Sequence, residues 1–218
     1  MEKGREEEYV TAVRALAEKY KGKIDVFAGL ESDSLSEIRR ELYDYVIGSV
    51  HNIVVDGECL YIDYSADRQK YAIDKYFGGE EIGFVKAYYD ELVRHVKATR
   101  PDIVGHFDLL TKFSTIDESS EEYRRIVYDA LDEIMTVCTR FEINTGGMAR
   151  AGKEGTYPAP FILEEICRRG GSVTVSSDCH DGRRLDFAFD EALEAAKKAG
   201  FTVIDRFTRE GFVQDEIC

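Results

Sequence analysis

Residues 45–51 read YVIGSVH, an apolar run that ends on a histidine and has the character of a buried strand. Three later stretches have the same form. PDIVGHF (101–107) is a strand candidate ending near His106, FEINTGG (141–147) one ending near Asn144, and SVTVSSDCH (172–180) one ending at Asp178 and His180. An earlier stretch, KIDVFAGLE (23–31), ends at Glu31.

Helix-period segments lie between these runs. Residues 6–20 place Tyr9, Val10, Val13, Leu16, Ala17 and Tyr20 on one face. Residues 120–137 are the clearest helix, with Tyr123, Ile126, Val127, Ala130, Leu131 and Ile134 at spacings of three and four. Further helices are expected over SDSLSEIRRELY (32–43), which opens with good cap residues, over 81–98, over PFILEEICRRG (160–170) and over 187–198. A last strand, FTVIDRF (201–207), closes the pattern. Residues 52–80 interrupt it with a hairpin in ECLYIDYS (58–65) and an aromatic-rich insertion running to Gly78-Gly79. Strand and helix alternating in this way predict an α/β fold with mostly parallel strands, in a single domain over 1–218.

The composition narrows the partners. A net charge of -14 argues against nucleic acid, because phosphate contacts need a basic surface. It suits a protein that binds cations. Cys59, Cys138, Cys167, Cys179 and Cys218 are odd in number, scattered and form no C-x-x-C pair, which reads as reduced thiols in a cytoplasmic protein. The start MEKGREEEYV has no apolar core of a signal peptide, and no stretch approaches a membrane span.

The chemistry lies in the positions. The chain has four histidines, and three of them, His51, His106 and His180, fall at ends of separate strand candidates. Glu31, Asn144 and Asp178 occupy equivalent places. In parallel sheets and barrels the C-terminal strand ends build the site. Singly, each residue has an ordinary structural reading. Together, Glu31, His51, His106, Asp178 and His180 are the ligand types of a divalent transition metal. Asp178 and His180, two apart on a strand, are expected to point to one face. His95 shares a helix face with Tyr88, Leu92 and Val96 and reads as structural. The loop GGMARAGKEGTYP (146–158) sets Arg150 and Lys153 beside flexible backbone, which suits an oxyanion.

The ordered series GLE (Glu31), GSVH (His51), GHFD (His106), EINTGG (Asn144) and SSDCH (Asp178, His180) resembles the PHP (polymerase and histidinol phosphatase) superfamily over residues 6 to 207. The likeness is greatest to its histidinol-phosphatase-like branch, through YVIGSVH, the insertion after it, and the asparagine strand followed by a basic loop and Tyr157-Pro158. The resemblance implies a distorted (β/α)7 barrel and a metal-dependent phosphatase of histidine biosynthesis. Its substrate would be a small phosphorylated metabolite, L-histidinol phosphate. It implies up to three Zn, Mn or Fe ions on Glu31, His51, His106, Asp178 and His180, catalytic roles for Asp178 and His180, and substrate contacts from Arg150 and Asn144.

The chain departs from that pattern at its start. The family opens with an H-x-H strand and a second histidine-bearing strand, whereas no histidine here precedes His51. The expected form is therefore an incomplete barrel, lacking its first two strands and holding fewer metals. Three readings of this departure stay open: a catalytically weak or silent module acting through metal binding or oligomerisation, a homo-oligomer that covers the exposed sheet edge, and a natural protein longer than the present sequence.

Overall fold

A computed structural model describes residues 5–217; the sequence readings that touch residues 1–4 and Cys218 lie outside them. The chain begins with α1 (Glu6–Lys19) and β1 (Gly29–Asp33), then β2 (Tyr45–Ser49), the hairpin of β3 (Asn52–Val55) and β4 (Glu58–Tyr61), α2 (Ala66–Phe77) and α3 (Glu81–Thr99). It continues through β5 (Ile103–Val104), α4 (Glu121–Met135), β6 (Arg140–Asn144), α5 (Gly146–Ala151), α6 (Pro160–Arg168) and β7 (Ser172–Ser176), and finishes with α7 (Phe189–Ala199), β8 (Val203–Thr208) and β9 (Gly211–Glu216).

The organising element is a five-stranded parallel sheet in the order β1-β2-β5-β6-β7. The expected α/β class and parallel pairing are present. The described strands form an open sheet with β1 and β7 at its two edges, and no pairing among them closes a barrel. The final strand differs from expectation: β8 pairs antiparallel with β9 in a separate hairpin instead of extending the parallel sheet.

The core forms where helices cover one sheet face. Phe84, Val85, Tyr88, Tyr89, Leu92 and Val96 of α3 and Tyr123, Val127, Leu131 and Ile134 of α4 are buried at helical spacing. They pack with Val104, Phe141, Ile143 and Val173 of the sheet in one cluster. Three buried tyrosines of this cluster have their hydroxyls satisfied: Tyr88 donates to the Phe107 carbonyl at 3.2 Å, and Tyr89 meets Tyr123 at 3.2 Å. Ser120 caps α4 by accepting the Tyr123 N–H, with Glu121 and Glu122 in the first turn favouring the helix dipole.

Two local readings are corrected. Residues 32–43 end β1 at Asp33 and then form only a short 3-10 turn, Arg40–Leu42, rather than a helix. The reason is the ladder of β1: Ser32 and Asp33, the expected cap residues, are paired with Gly48 and Ser49 as extended strand, and Asp33 takes the Leu35 N–H in an Asx turn as the strand ends. The insertion, read as irregular beyond its hairpin, holds α2. Ser65 caps it, Gly78 ends it at a φ of 65°, and Gln69, Ala72 and Ile73 face inward. Helix α1 forms as expected, but none of its residues is buried, and Tyr9, Leu16 and, just past its end, Tyr20 keep 37 to 45 % exposure.

Candidate metal centre

Glu31 is the middle residue of β1, and it faces Ile47 of β2 across the parallel ladder. His51 lies two residues beyond β2, and His106 two residues beyond β5. Because β1, β2 and β5 are adjacent and parallel, these three side chains arrive at one end of the sheet. His106 Nε2 lies 2.9 Å from Glu31 Oε1, and His51 Nε2 lies 3.5 Å from the same oxygen. One ligand atom from each of the three falls within a 4.8 Å group.

The electrostatics of this triad are strongly coupled. Burial alone would depress the His106 imidazole, but the hydrogen bond and charge of Glu31, helped by Glu142 and Asp178, raise it to about 9. Burial would likewise raise Glu31, yet the hydrogen bond and charge of His106, with His51 behind, lower it to about 2. His106 is 3 % exposed and its Nδ1 has no partner among the described residues. Asp33, two residues after Glu31 and so on the same strand face, accepts from both His51 Nδ1 and His51 N. Burial opposes the charge of Asp33, but these two bonds outweigh it and hold the carboxyl below its usual range.

The donor set fits a divalent transition metal. One carboxylate oxygen and two imidazole nitrogens are the usual ligands of such ions, and bonds of about 2.1 Å at tetrahedral angles separate neighbouring donors by roughly 3.4 Å. The two distances from Glu31 Oε1, 2.9 and 3.5 Å, bracket that spacing.

The remaining residues expected at the site are arranged less uniformly. Asp178, Arg150 and Tyr157 line the same pocket as His51 and His106. Arg150 donates to both the carboxylate and the backbone carbonyl of Asp178. The backbone leaves β7 at Ser176, and Asp178 sits at a φ of 45°. Asp178 and His180 are thus not alternate residues of a strand, which corrects that expectation. His180 is 74 % exposed, meets Asp178 Oδ1 at 3.4 Å, and lines a neighbouring depression with Cys179 and Arg184. Asn144 is buried. Its amide donates to Glu142 and Asp178 and its oxygen accepts from Gly146 N, so it braces the loop. Gly147 is required where it is, because a Cβ there would come within 2.6 Å of the Tyr157 ring.

Some neighbours were not singled out from the sequence. Lys112 lines the pocket and donates to Asp63, which comes from the insertion after β4. Lys153, which the sequence reading sets beside Arg150, reaches Thr111 Oγ1 and lies over the Tyr157 ring. Glu142 accepts the His106 N–H at 2.9 Å, fixing the backbone that carries that ligand. Only the E-x-N and E-x-D spacings, Glu142 with Asn144 and Glu31 with Asp33, could have pointed to these supports. His95 is buried and holds the Ser32 carbonyl at 2.9 Å, as its structural reading anticipates.

No family model matches the chain. Three curated relatives do. A Schizosaccharomyces pombe protein and a Deinococcus radiodurans protein, both provisionally named histidinol-phosphatases, are 25% and 27% identical, and the chain spans 67% and 72% of their lengths. The histidinol-phosphatase of Bacillus subtilis is 25% identical, with 86% of this chain and 75% of that protein aligned. Among solved structures, a Listeria monocytogenes protein with a provisional histidinol phosphatase assignment superposes with a TM-score of 0.69 at 21% identity, over 88% of this chain and 77% of that one. That likeness shows the shared fold, and the three sequence relatives support a histidinol-phosphatase-like family for the chain.

Proposed function

We propose that the chain is a metal-dependent phosphomonoesterase whose substrate is L-histidinol phosphate. One observation carries the reading: Glu31, His51 and His106 bring ligand atoms within 4.8 Å of one another, and the two histidines line a pocket with Arg150 and Lys112. A carboxylate–imidazole cluster facing two cations is matched to a metal and a phosphate dianion together. The names of the three relatives support the substrate.

In this mechanism Glu31, His51 and His106 hold one divalent ion, with Zn, Mn and Fe as the candidates. The ion supplies Lewis acidity toward the phosphoryl group. Arg150 exchanges its bond to Asp178 for bonds to the phosphate oxygens, where its planar fork gives paired contacts. Lys112, already held by Asp63, adds a second positive charge at the pocket wall. Asp178, which lines the same pocket, would offer its carboxylate as a further ligand of that ion. Water attacks phosphorus and loses a proton to solvent as the ester P–O bond breaks, and His180 gives a proton from Nε2 to the departing alkoxide.

The deciding assay is phosphate release from L-histidinol phosphate with added Mn, Zn or Fe. Turnover that requires metal and disappears in Glu31→Gln is the expected result. Metal uptake without release from this or any other phosphomonoester would overturn the reading.

A second reading, a module acting through self-association, has one observation in its favour. The sheet face beside the β8–β9 hairpin opens into a groove of about 540 Å³ lined by Phe27, Tyr45, Ile47, Ile103, Phe207 and Phe212. A second copy covering that face would bury this aromatic surface. Solution scattering from a monomer at high concentration would sink it.

A further inference from the structure

We infer that Asp33 is a positioning residue for His51, selecting the imidazole nitrogen that faces Glu31 and His106 and so setting the affinity of the cluster for a divalent metal. The inference rests on the metal reading above and assigns a role to a residue outside the ligand set.

The geometry leaves one arrangement. A carboxylate only accepts, so the 2.8 Å contact between Asp33 Oδ2 and His51 Nδ1 requires the proton on Nδ1. In the neutral ring the lone pair then falls on Nε2, the atom 3.5 Å from Glu31 Oε1. The same Oδ2 accepts the backbone N–H of His51 at 2.9 Å, so it fixes the residue at two points. The other oxygen, Oδ1, is separately committed to Leu35 N at 3.2 Å and Ser34 Oγ at 3.4 Å. One oxygen therefore anchors the turn after β1 and the other orients the ring.

The placement follows from strand periodicity. Glu31 and Asp33 are alternate residues of β1 and share a face, while Ser32 between them is buried on the opposite side beneath His95. Asp33 also faces Ser49 in the parallel register, two residues before His51. A single E-x-D on one strand thus supplies a candidate ligand and the support of its neighbouring ligand. Supports of this type, a carboxylate on the distal nitrogen of a metal-binding histidine, commonly change metal affinity by about 10–100-fold when removed.

The contrast with His106 sharpens the assignment. Its Nδ1 is buried without a partner among the described residues, and its Nε2 is occupied by Glu31. Of the two imidazoles, only His51 has its distal nitrogen held by a carboxylate and its proximal nitrogen turned to the cluster.

The test uses the full chain with Asp33→Ala and Asp33→Asn, with Asp33→Ser substituting for the alanine variant should the latter fail to fold. Two quantities are read: Mn²⁺ and Zn²⁺ affinity by titration calorimetry, and the His51 tautomer in the metal-free protein by ¹⁵N NMR of the ring. Asp33→Ala is expected to bind metal about 10–100-fold more weakly and to lose the Nδ1–H preference. Asp33→Asn is expected to lose less than about tenfold, because the two N–H groups of His51 select its amide oxygen as acceptor. Unchanged affinity and tautomer in Asp33→Ala or its serine substitute would overturn the role of Asp33 while leaving the metal site intact. A wild-type chain that takes up no metal would overturn the metal reading and this role with it, even with the tautomer fixed.

Discussion

Glu31 Oε1 and His106 Nε2 meet at 2.9 Å although 75 residues separate them in the chain. The contact exists because β1 and β5 both flank β2 and run parallel, so residues at corresponding strand ends become neighbours. Without a metal, the pair is an ion pair with a depressed carboxylate and an elevated imidazole, about 2 and about 9. A cation that takes this oxygen replaces the imidazolium proton.

Metal should therefore stabilise the fold through this cluster. At a free concentration of about 100 Kd, linkage adds about 2.7 kcal/mol. For a chain of this size that corresponds to a rise in Tm of roughly 5–10 °C. Glu31→Gln and His106→Asn should abolish the rise. Thermal scans with and without Mn²⁺ or Zn²⁺ would show it, and equal shifts in wild type and Glu31→Gln would place the metal elsewhere.

Arg150→Ala should lower kcat/KM for the phosphate ester by about 10–100-fold, the equivalent of a lost charge-assisted hydrogen bond of about 1.5–3 kcal/mol. Arg150→Lys should recover only part of this, because a single ammonium cannot make the paired contact. Metal affinity should hold in both variants. Steady-state kinetics beside a metal titration would separate the two effects.

His95 predicts a pH dependence of stability. Burial lowers its pKa below 6.5, against weaker raising contributions from Ser32 and Asp33. The unfolded chain takes up a proton near 6.5 and the folded chain does so only at lower pH, so stability is full above that value and falls as the pH drops below it. His106 acts in the opposite sense, with stability present below 6.5 and lost as pH rises through about 9. Subtracting His95→Gln from wild type in denaturant titrations isolates the first contribution. A difference independent of pH between 5 and 7 would contradict it.

Gly105 sits just before His106, where a Cβ would come within 2.7 Å of the Ile47 side chain and collide with Ser49 Oγ. Gly105→Ala should therefore cost about 1–3 kcal/mol through overpacking between β2 and β5. It should also weaken metal binding by displacing His106. Chemical denaturation would measure the first effect, and a stability loss under about 0.5 kcal/mol would show that the sheet can yield.

The site is legible in the sequence to different depths. Glu31, His51 and His106 follow from strand-end position, since a short apolar run ending on a polar residue carries its own signal. Asp178 and His180 do not, because the turn after Ser176 has φ +45° at Asp178, which strand periodicity cannot anticipate. Asp63 and Lys112 are likewise invisible, each lying in a segment with no repeating pattern and meeting only through the fold. Helix α2 was obscured by its aromatics, although Ser65 and Gly78 mark its ends.

By itself the sequence determined the helix and strand alternation, the parallel sheet it builds, and the histidines at strand ends. These depend on local periodicity and on short-range sterics, which each segment expresses alone. Tertiary structure alone decided that Asp33 holds His51, that Arg150 holds Asp178, and that β8 turns back on β9 rather than joining the sheet. Each of these is a choice among partners distant in sequence or equivalent in local propensity. Only the packing of the whole sheet, with every buried polar group seeking a partner, makes that choice.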